Sequence, residues 1–306
     1  MNNSENEKKS MNNAYRIAQE LLKDRLKEVN PEAFKEMLDV EDADVIVIGG
    51  TYDHIEMVLK IAGTPFTLIR PADVEQAAFR PDQVVFVNCP GNIGPLGLRK
   101  LNTFVLEGGF LFTTDWALKH VLEEAFPGYI KYNQHATADE VVRVEILDTK
   151  DPFLKSLLGP KDDPQWWLEG SSYPIQIINK KSVHILVSSK EIKEKYGESP
   201  VFVTFDYGEG KIYHMISHFY LQRSETRTKR HKYSAVEYLN EKKISVDMKA
   251  KYSEMYIENM QLGDVESAYT SAAMMNKIMY DKKKQMKGKK NGKQKEQTGP
   301  ETSKKS

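Results

Sequence analysis

Residues 104–118 read FVLEGGFLFTTDWAL. FVLE closes a helix, the Gly108-Gly109 pair turns the chain, residues 110–113 form a short apolar run of the kind that makes a buried strand, and Thr114-Asp115-Trp116 breaks into the next helix. In open parallel sheets ligands gather outside the carboxyl ends of the strands, and a strand-to-helix turn there lifts one side chain with helix N-terminal amides behind it. That side chain belongs to Thr114 or Asp115. A Ser or Cys here would mark a nucleophile. Neither is present, so the stretch predicts a fold and a site location without naming a reaction.

The flanking segments repeat the pattern. Residues 43–50, ADVIVIGG, are a β-branched run ending in a Gly pair, as expected of a strand covered on both faces. Residues 54–62 are an amphipathic helix, 65–70 (PFTLIR) a second strand, and 83–89 (QVVFVNC) a third, ending in Pro90-Gly91-Asn92. LGLRKLNTFVLEG then leads as a helix into the strand already described. Strands alternating with helices at these lengths predict right-handed crossovers and a parallel sheet, with the runs at 43–50 and 83–89 in the same sheet. Beyond residue 124 the pattern changes. Residues 140–147 (EVVRVEIL) alternate as one strand, 151–158 make a short helix, and 161–178 form a long loop carrying Trp166-Trp167 before another strand. Residues 183–189 are a strand and 200–219 a hairpin turning at Tyr207-Gly208-Glu209-Gly210.

The expected organisation is a helical extension over 1–42, frayed over 1–12, an α/β domain over 43–240, a C-terminal helical pair over 247–281 turning at Leu262-Gly263-Asp264, and a disordered basic tail over 282–306. Lys+Arg and Asp+Glu both number 44, so net charge points to neither nucleic acid nor an anionic membrane. The tail from residue 281 holds ten Lys and three acids, leaving 34 basic against 41 acidic residues elsewhere, a net of −7. Nucleic acid is therefore expected only weakly, through that tail. A single cysteine, Cys89, precludes an intrachain disulfide and suits a reducing compartment. The first ten residues hold no apolar core of a signal peptide, and no run reaches the ~18 apolar residues of a membrane helix. A cytoplasmic protein is the expectation.

The order of VIVIGGTYDHIE, VVFVNCPGN, FVLEGGFLFTTDWA and PVFVTFDYGEGKIYHMISHF resembles the class I glutamine amidotransferase-like superfamily, closest to its trehalose-utilisation (ThuA-like) branch, over about residues 43–222. The resemblance implies a flavodoxin-like, mostly parallel sheet with helices on both faces. It also implies that Asp115 stands where that family has its elbow nucleophile or a His, and that His218 matches the His ending the hairpin. True amidotransferases carry Cys at the elbow, followed by a His and a Glu; glutamine hydrolysis does not follow from this chain.

The candidate catalytic residues are thus Asp115 and His218, with Gly50, His54, Asn88, Asn92, Thr114, Trp116 and Trp167 lining the cleft. Cys89 is the rival nucleophile, against the reading that it is a small buried hydrophobe. His54 and Glu56 reach the cleft or merely open a helix. GGTYDH lacks the dinucleotide fingerprint, and no cofactor is assigned. Asp115, His54, His214 and His218 could make a metal site, but for His214 and His218, on one face of a strand, the preferred reading is that backbone carbonyls satisfy one or both. Of Trp166 and Trp167, one packs inward and the other covers the cleft or meets a partner. The basic run at 222–233 reads first as a solvated loop, with binding of an acidic partner or phosphate as the alternative.

Two functions follow. One is a non-catalytic binding or scaffold protein that keeps the elbow cleft for a small polar ligand and uses its helical extensions to hold a protein partner or a second copy. The other is a hydrolase or isomerase acting on a small, sugar-like metabolite, with Asp115 and His218 as acid/base pair, metal-assisted or not. Convergence of those two side chains in an open pocket favours the second.

Overall fold

Short β-branched and aromatic runs with no polar interruption bury both faces, and they form the middle of the sheet. The computed structural model describes residues 2–297, with side chains from Lys9 to Lys289. In chain order the strands are β1 (Val45–Ile48), β2 (Thr67–Ile69), β3 (Val84–Val87), β4 (Phe110–Thr114), β5 (Ile130–Tyr132), β6 (Glu140–Arg143), β7 (Glu145–Ile146), β8 (Gln165–Leu168), β9 (Ile175–Ile177), β10 (His184–Ser188), β11 (Pro200–Tyr207) and β12 (Gly210–Met215). β1, β3 and β4 are buried at every position.

Eight strands form one sheet in the order β2-β1-β3-β4-β12-β11-β10-β7. β2, β1, β3, β4 and β12 run parallel, and β11, β10 and β7 each reverse against their neighbour. Val45 pairs with Val84 and Ile48 with Val87, so the two runs predicted to share a sheet are adjacent in it. This is a flavodoxin-like α/β fold. From β1 the chain steps outward to β2 and then back past β1 to β3, so the crossovers leaving β1 and β3 part in opposite directions and the carboxyl edge between these strands is the topological switch point of the sheet. The helices Ile55–Ala62 and Pro95–Leu106 serve crossovers in opposite directions along the sheet, which by the right-handed rule puts them on opposite faces.

Gly50 and Gly109 are demanded by close packing. A Cβ on Gly50 would lie 2.2 Å from the Cys89 carbonyl oxygen, and one on Gly109 would lie 2.2 Å from the Phe104 ring. The turn predicted at 108–109 is therefore sterically specified, with Gly108 at φ +123°.

Several expectations are corrected. The segment 161–178 is not all loop: Gln165–Leu168 pairs antiparallel with β6 in a separate two-stranded sheet. Residues 140–147 split into β6 and β7, which belong to different sheets. The N-terminal helix runs Asn2–Val29, and Met11, expected to fray, is buried. The last helix runs Leu262–Gln297 without a break at 282, and Leu262-Gly263-Asp264 is its first turn rather than a turn between helices. Lys, Gln and Met are good helix formers, and the lysines found acceptors. Lys282 is buried and donates to the Gly108 carbonyl at 2.6 Å and to that of Pro81, while Lys283 pairs with Asp44 at 2.8 Å and Lys287 with Glu36. The remainder of the predicted tail, 298–306, lies outside the described residues. The Met/Tyr stripe of this helix, Tyr269, Met275 and Met279 included, is core. In the basic run at 222–233 the arginines are engaged, Arg223 with Asp139, Arg227 with Glu191 and Arg230 with Glu241 and Glu266, while Lys229 and Lys232 are exposed to solvent.

Candidate functional site

Four strand ends meet at one point of the sheet's carboxyl edge. β1 is followed by Asp53, β3 by Cys89, β4 by Asp115, and β12 by Ser217 and His218. Asp115 takes φ 45°, the left-handed region that Asp tolerates better than most residues, and so turns its side chain sharply up from the end of β4. Its backbone N–H donates to the Met215 carbonyl at 2.8 Å, tying the elbow to β12. The predicted elbow residue is in place, and Thr114 beneath it accepts the Cys89 N–H at 3.1 Å.

The loop after β8 folds over this point. Ser172 Oγ donates to Asp115 Oδ2 at 2.9 Å and Tyr173 N–H to Asp115 Oδ1 at 2.8 Å. His218 Nε2 lies 3.7 Å from Asp115 Oδ2, and on the other side of the ring His218 Nδ1 lies 3.6 Å from Glu169 Oε2. Cys89 Sγ is 4.0 Å from Asp115 Oδ2. Trp167 meets the His218 ring edge-on at 5.8 Å and anchors its own N–H on Asp139. Trp166, on the other face of β8, donates to Thr270 of the last helix. The Trp pair thus divides as alternation along a strand requires, with Trp167 on the cleft.

The cluster is closed. Asp53, Cys89, Asp115 and His218 are each no more than 2 % exposed. A larger cavity of about 500 Å³, lined by Arg143, Glu145, Asp163 and Glu191 among others, lies elsewhere. Three polar atoms of the cluster, Asp53 Oδ2, Glu169 Oε2 and His218 Nε2, have no hydrogen-bond partner. Burial raises the pKa of the Asp53, Asp115 and Glu169 carboxyls. Burial, reinforced by the Asp115 carboxylate, also raises that of the Cys89 thiol, the opposite of what activates a nucleophile. Cys89, Asp115 and His218 bring possible ligand atoms within 4.8 Å of one another.

Other candidates fall away from this centre. His54 turns to Glu56, 3.1 Å from its Oε1, and its backbone N–H donates to Asp53 Oδ1 at 2.7 Å. Asn88 is buried, donating to Glu56 Oε2 at 2.8 Å and accepting from Ile55 N–H, so it fastens a helix start. Gly50 packs on the end of β3. Asn92 is exposed and lines a different cavity with Arg70 and Pro71. His214 and His218 do not share a strand face, because β12 ends at Met215; His214 sits inside the sheet 2.8 Å from Thr113 Oγ1, and burial lowers its pKa to about 3. Trp116 lies at the rim, donating to the Ser171 carbonyl, stacked on Tyr173 at 5.6 Å and edge-on to Tyr52 at 5.3 Å. Asp53 and Glu169 were not anticipated. Asp53 adjoins the more conspicuous His54, and Glu169 lies in a segment read as loop.

No family model matches the chain, and no curated protein matches it. Solved structures similar to it include a glutamine amidotransferase from Thermotoga maritima (TM-score 0.42, 8 % identity, 81 % of this chain and 97 % of that one). A ThuA-like protein from Bacteroides uniformis follows at TM-score 0.40, with 14 % identity over 58 % of this chain and 84 % of that one. A GH42 beta-galactosidase is similar at TM-score 0.39 and 11 % identity over 71 % of this chain, which spans only 30 % of that enzyme's length. Among the described residues no helix is long and apolar enough to cross a membrane.

Proposed function

We propose that the chain acts by binding, as a non-catalytic amidotransferase-like protein. The observation that carries this reading is the closure of the elbow: Asp115 is 2 % exposed and both its oxygens already accept hydrogen bonds from Ser172 and Tyr173. A substrate needs contact with the reacting group, and none is open here. What remains accessible is the rim, an aromatic cluster in which exposed Tyr52 meets half-buried Trp116 edge-on and Trp116 stacks on half-buried Tyr173, itself stacked on Tyr132. Aromatic side chains carrying hydroxyls at such a rim suit a small polar ligand with an apolar face, such as a sugar ring. The ends of the chain, packed against one another, supply the surface for a protein partner or second copy. The test is a tryptophan-fluorescence titration with mono- and disaccharides in parallel with an ammonia-release assay on glutamine. Saturable quenching, lost in Trp116→Ala, with no ammonia released is expected. Glutamine turnover abolished by Asp115→Asn would overturn the reading.

A second reading, an acid/base enzyme, is favoured by one observation. Asp115, His218 and Glu169 line up carboxylate, imidazole, carboxylate, the order of nucleophile, base and orienting acid. It requires the Ser172–Tyr173 loop to lift. Hydrolysis of a sugar-like substrate lost in both Asp115→Asn and His218→Gln would establish it over the first.

A further inference from the structure

From the elbow cluster we infer a metal site: Cys89 Sγ, Asp115 Oδ2 and His218 Nε2 take a borderline-soft divalent transition-metal ion of the zinc type. The three ligand atoms lie within 4.8 Å of one another, with Oδ2 to Nε2 at 3.7 Å and Sγ to Oδ2 at 4.0 Å. A tetrahedral ion with bonds of about 2.0–2.3 Å has ligand-to-ligand edges of about 3.3–3.8 Å. The two edges at Asp115 Oδ2 are thus within a few tenths of an ångström of those of a loaded site, and the edge from Sγ to Nε2, at most 4.8 Å, closes by no more than about 1 Å on loading.

The state of the donors argues for a ligand independently of their spacing. His218 Nε2 and Asp53 Oδ2 have no hydrogen-bond partner, and their residues are 2 % and 1 % exposed. Buried polar atoms are nearly always satisfied, so the orphaned His218 Nε2 inside the ligand group needs an explanation. Three carboxyl groups and a thiol surround a single imidazole, with no Lys or Arg among their hydrogen-bond or ion-pair partners. A cation is the partner that relieves this arrangement, because it turns the crowding of acids from a cost into ligation. One sulfur, one imidazole nitrogen and carboxylate oxygens select zinc or a close relative over magnesium or calcium, which take oxygen alone.

The surroundings of His218 complete the case. In metal sites the ring nitrogen not bound to metal usually faces a carboxylate or carbonyl, which fixes the ring and raises its basicity. Glu169 Oε2 stands 3.6 Å from His218 Nδ1, on the side away from Asp115. Trp167 packs edge-on against the same ring. Ser172 and Tyr173 hold Asp115 in a fixed rotation while leaving Oδ2 free to accept further. Binding displaces the proton of the Cys89 thiol to solvent and leaves a metal-bound thiolate.

The test uses the full chain, stripped with chelator and then titrated with cobalt(II) and zinc(II). Because Cys89 is the one cysteine, a thiolate-to-cobalt charge-transfer band in the near ultraviolet can come from no other residue. The expected result is that band, about one equivalent of zinc displacing the cobalt, and a zinc-dependent rise in melting temperature. Cys89→Ser removes the band, His218→Gln weakens zinc by at least about 100-fold, and Glu169→Gln by about 10–100-fold. Cobalt binding without the band, or zinc retained equally by Cys89→Ser and His218→Gln, overturns the inference. So does the absence of any zinc-induced shift and of the band in the unmutated chain, a result that needs no variant to fold. None of these readouts depends on turnover or on sugar binding, so the metal site stands or falls apart from the proposed function.

Discussion

Two regions of the molecule bury charge, and they do so in opposite ways. Around the last helix, Arg230 meets Glu266 at 2.9 Å and 3.1 Å while its remaining N–H groups reach Glu241. Lys242 binds Asp162 at 2.7 Å and the Leu157 carbonyl at 3.0 Å, and Lys277 bridges Asp151 and Asp281. Each cation there has its carboxylates, and Glu266 also accepts the Asp163 N–H. At the elbow, carboxyl groups, a thiol and an imidazole are equally buried, but Asp53 Oδ2 and His218 Nε2 are unpartnered. A saturated network fixes how an element docks, whereas an unsaturated one keeps valence for something else. The contrast separates scaffold from site without appeal to any related protein.

The comparison breaks most readily at Arg230. Arg230→Ala leaves Glu266, fully buried, without its cation, and a stability loss of about 3–5 kcal/mol in urea denaturation is expected; a loss below ~1 kcal/mol would mean that the network is ornamental. Next is Lys282→Met, which strips donors from the Pro81 and Gly108 carbonyls and should cost about 1–3 kcal/mol, read as a lower urea midpoint at unchanged slope.

His214 gives a smaller, pH-dependent effect. Its pKa falls from 6.5 unfolded to about 3 folded, so between those values the unfolded chain binds the extra proton and stability drops as pH falls. The loss is about 1.4 kcal/mol at pH 5.5, absent above pH 7.5, and His214→Phe should flatten that part of the acid limb. An unchanged limb would show that this residue is not buried neutral. Least of all should Asp115→Asn disturb the fold. Burial favours the uncharged carboxyl, and Asn can still accept from Tyr173 N–H while its amide donates to Ser172 Oγ. A change under ~1 kcal/mol by thermal denaturation is expected; a large drop would place the elbow with the saturated region.

How much of this was legible in the sequence follows from range. β1, β3 and β4 are uninterrupted apolar runs, and the Gly108-Gly109 turn and the 207–210 hairpin are local signals, so the sheet could be read from them. Asp115 was legible because an elbow is a local strand-to-helix turn. Glu169 and Asp53 were not: they reach His218 across long stretches of chain, and spacing carries no trace of that. Gln165–Leu168 escaped because flanking Pro, Asp, Gly and Ser residues read as loop, while the pairing that makes it a strand comes from β6. The lysines after 281 were misread for a related reason. Composition registers charge but not the carbonyls and carboxylates waiting for it, and Lys282, Lys283 and Lys287 each found one.

That last helix has a consequence for how the protein is made. Lys282 ties down the Gly108 carbonyl, at the turn that launches β4, and the same helix lies against the N-terminal helix Asn2–Val29. The helix Asn2–Val29 therefore gains its cover only once residues from 262 onward have been made. A nascent chain halted before 262 has its central strands but neither the clasp on their leading turn nor the cover for its opening helix, and should remain open to protease.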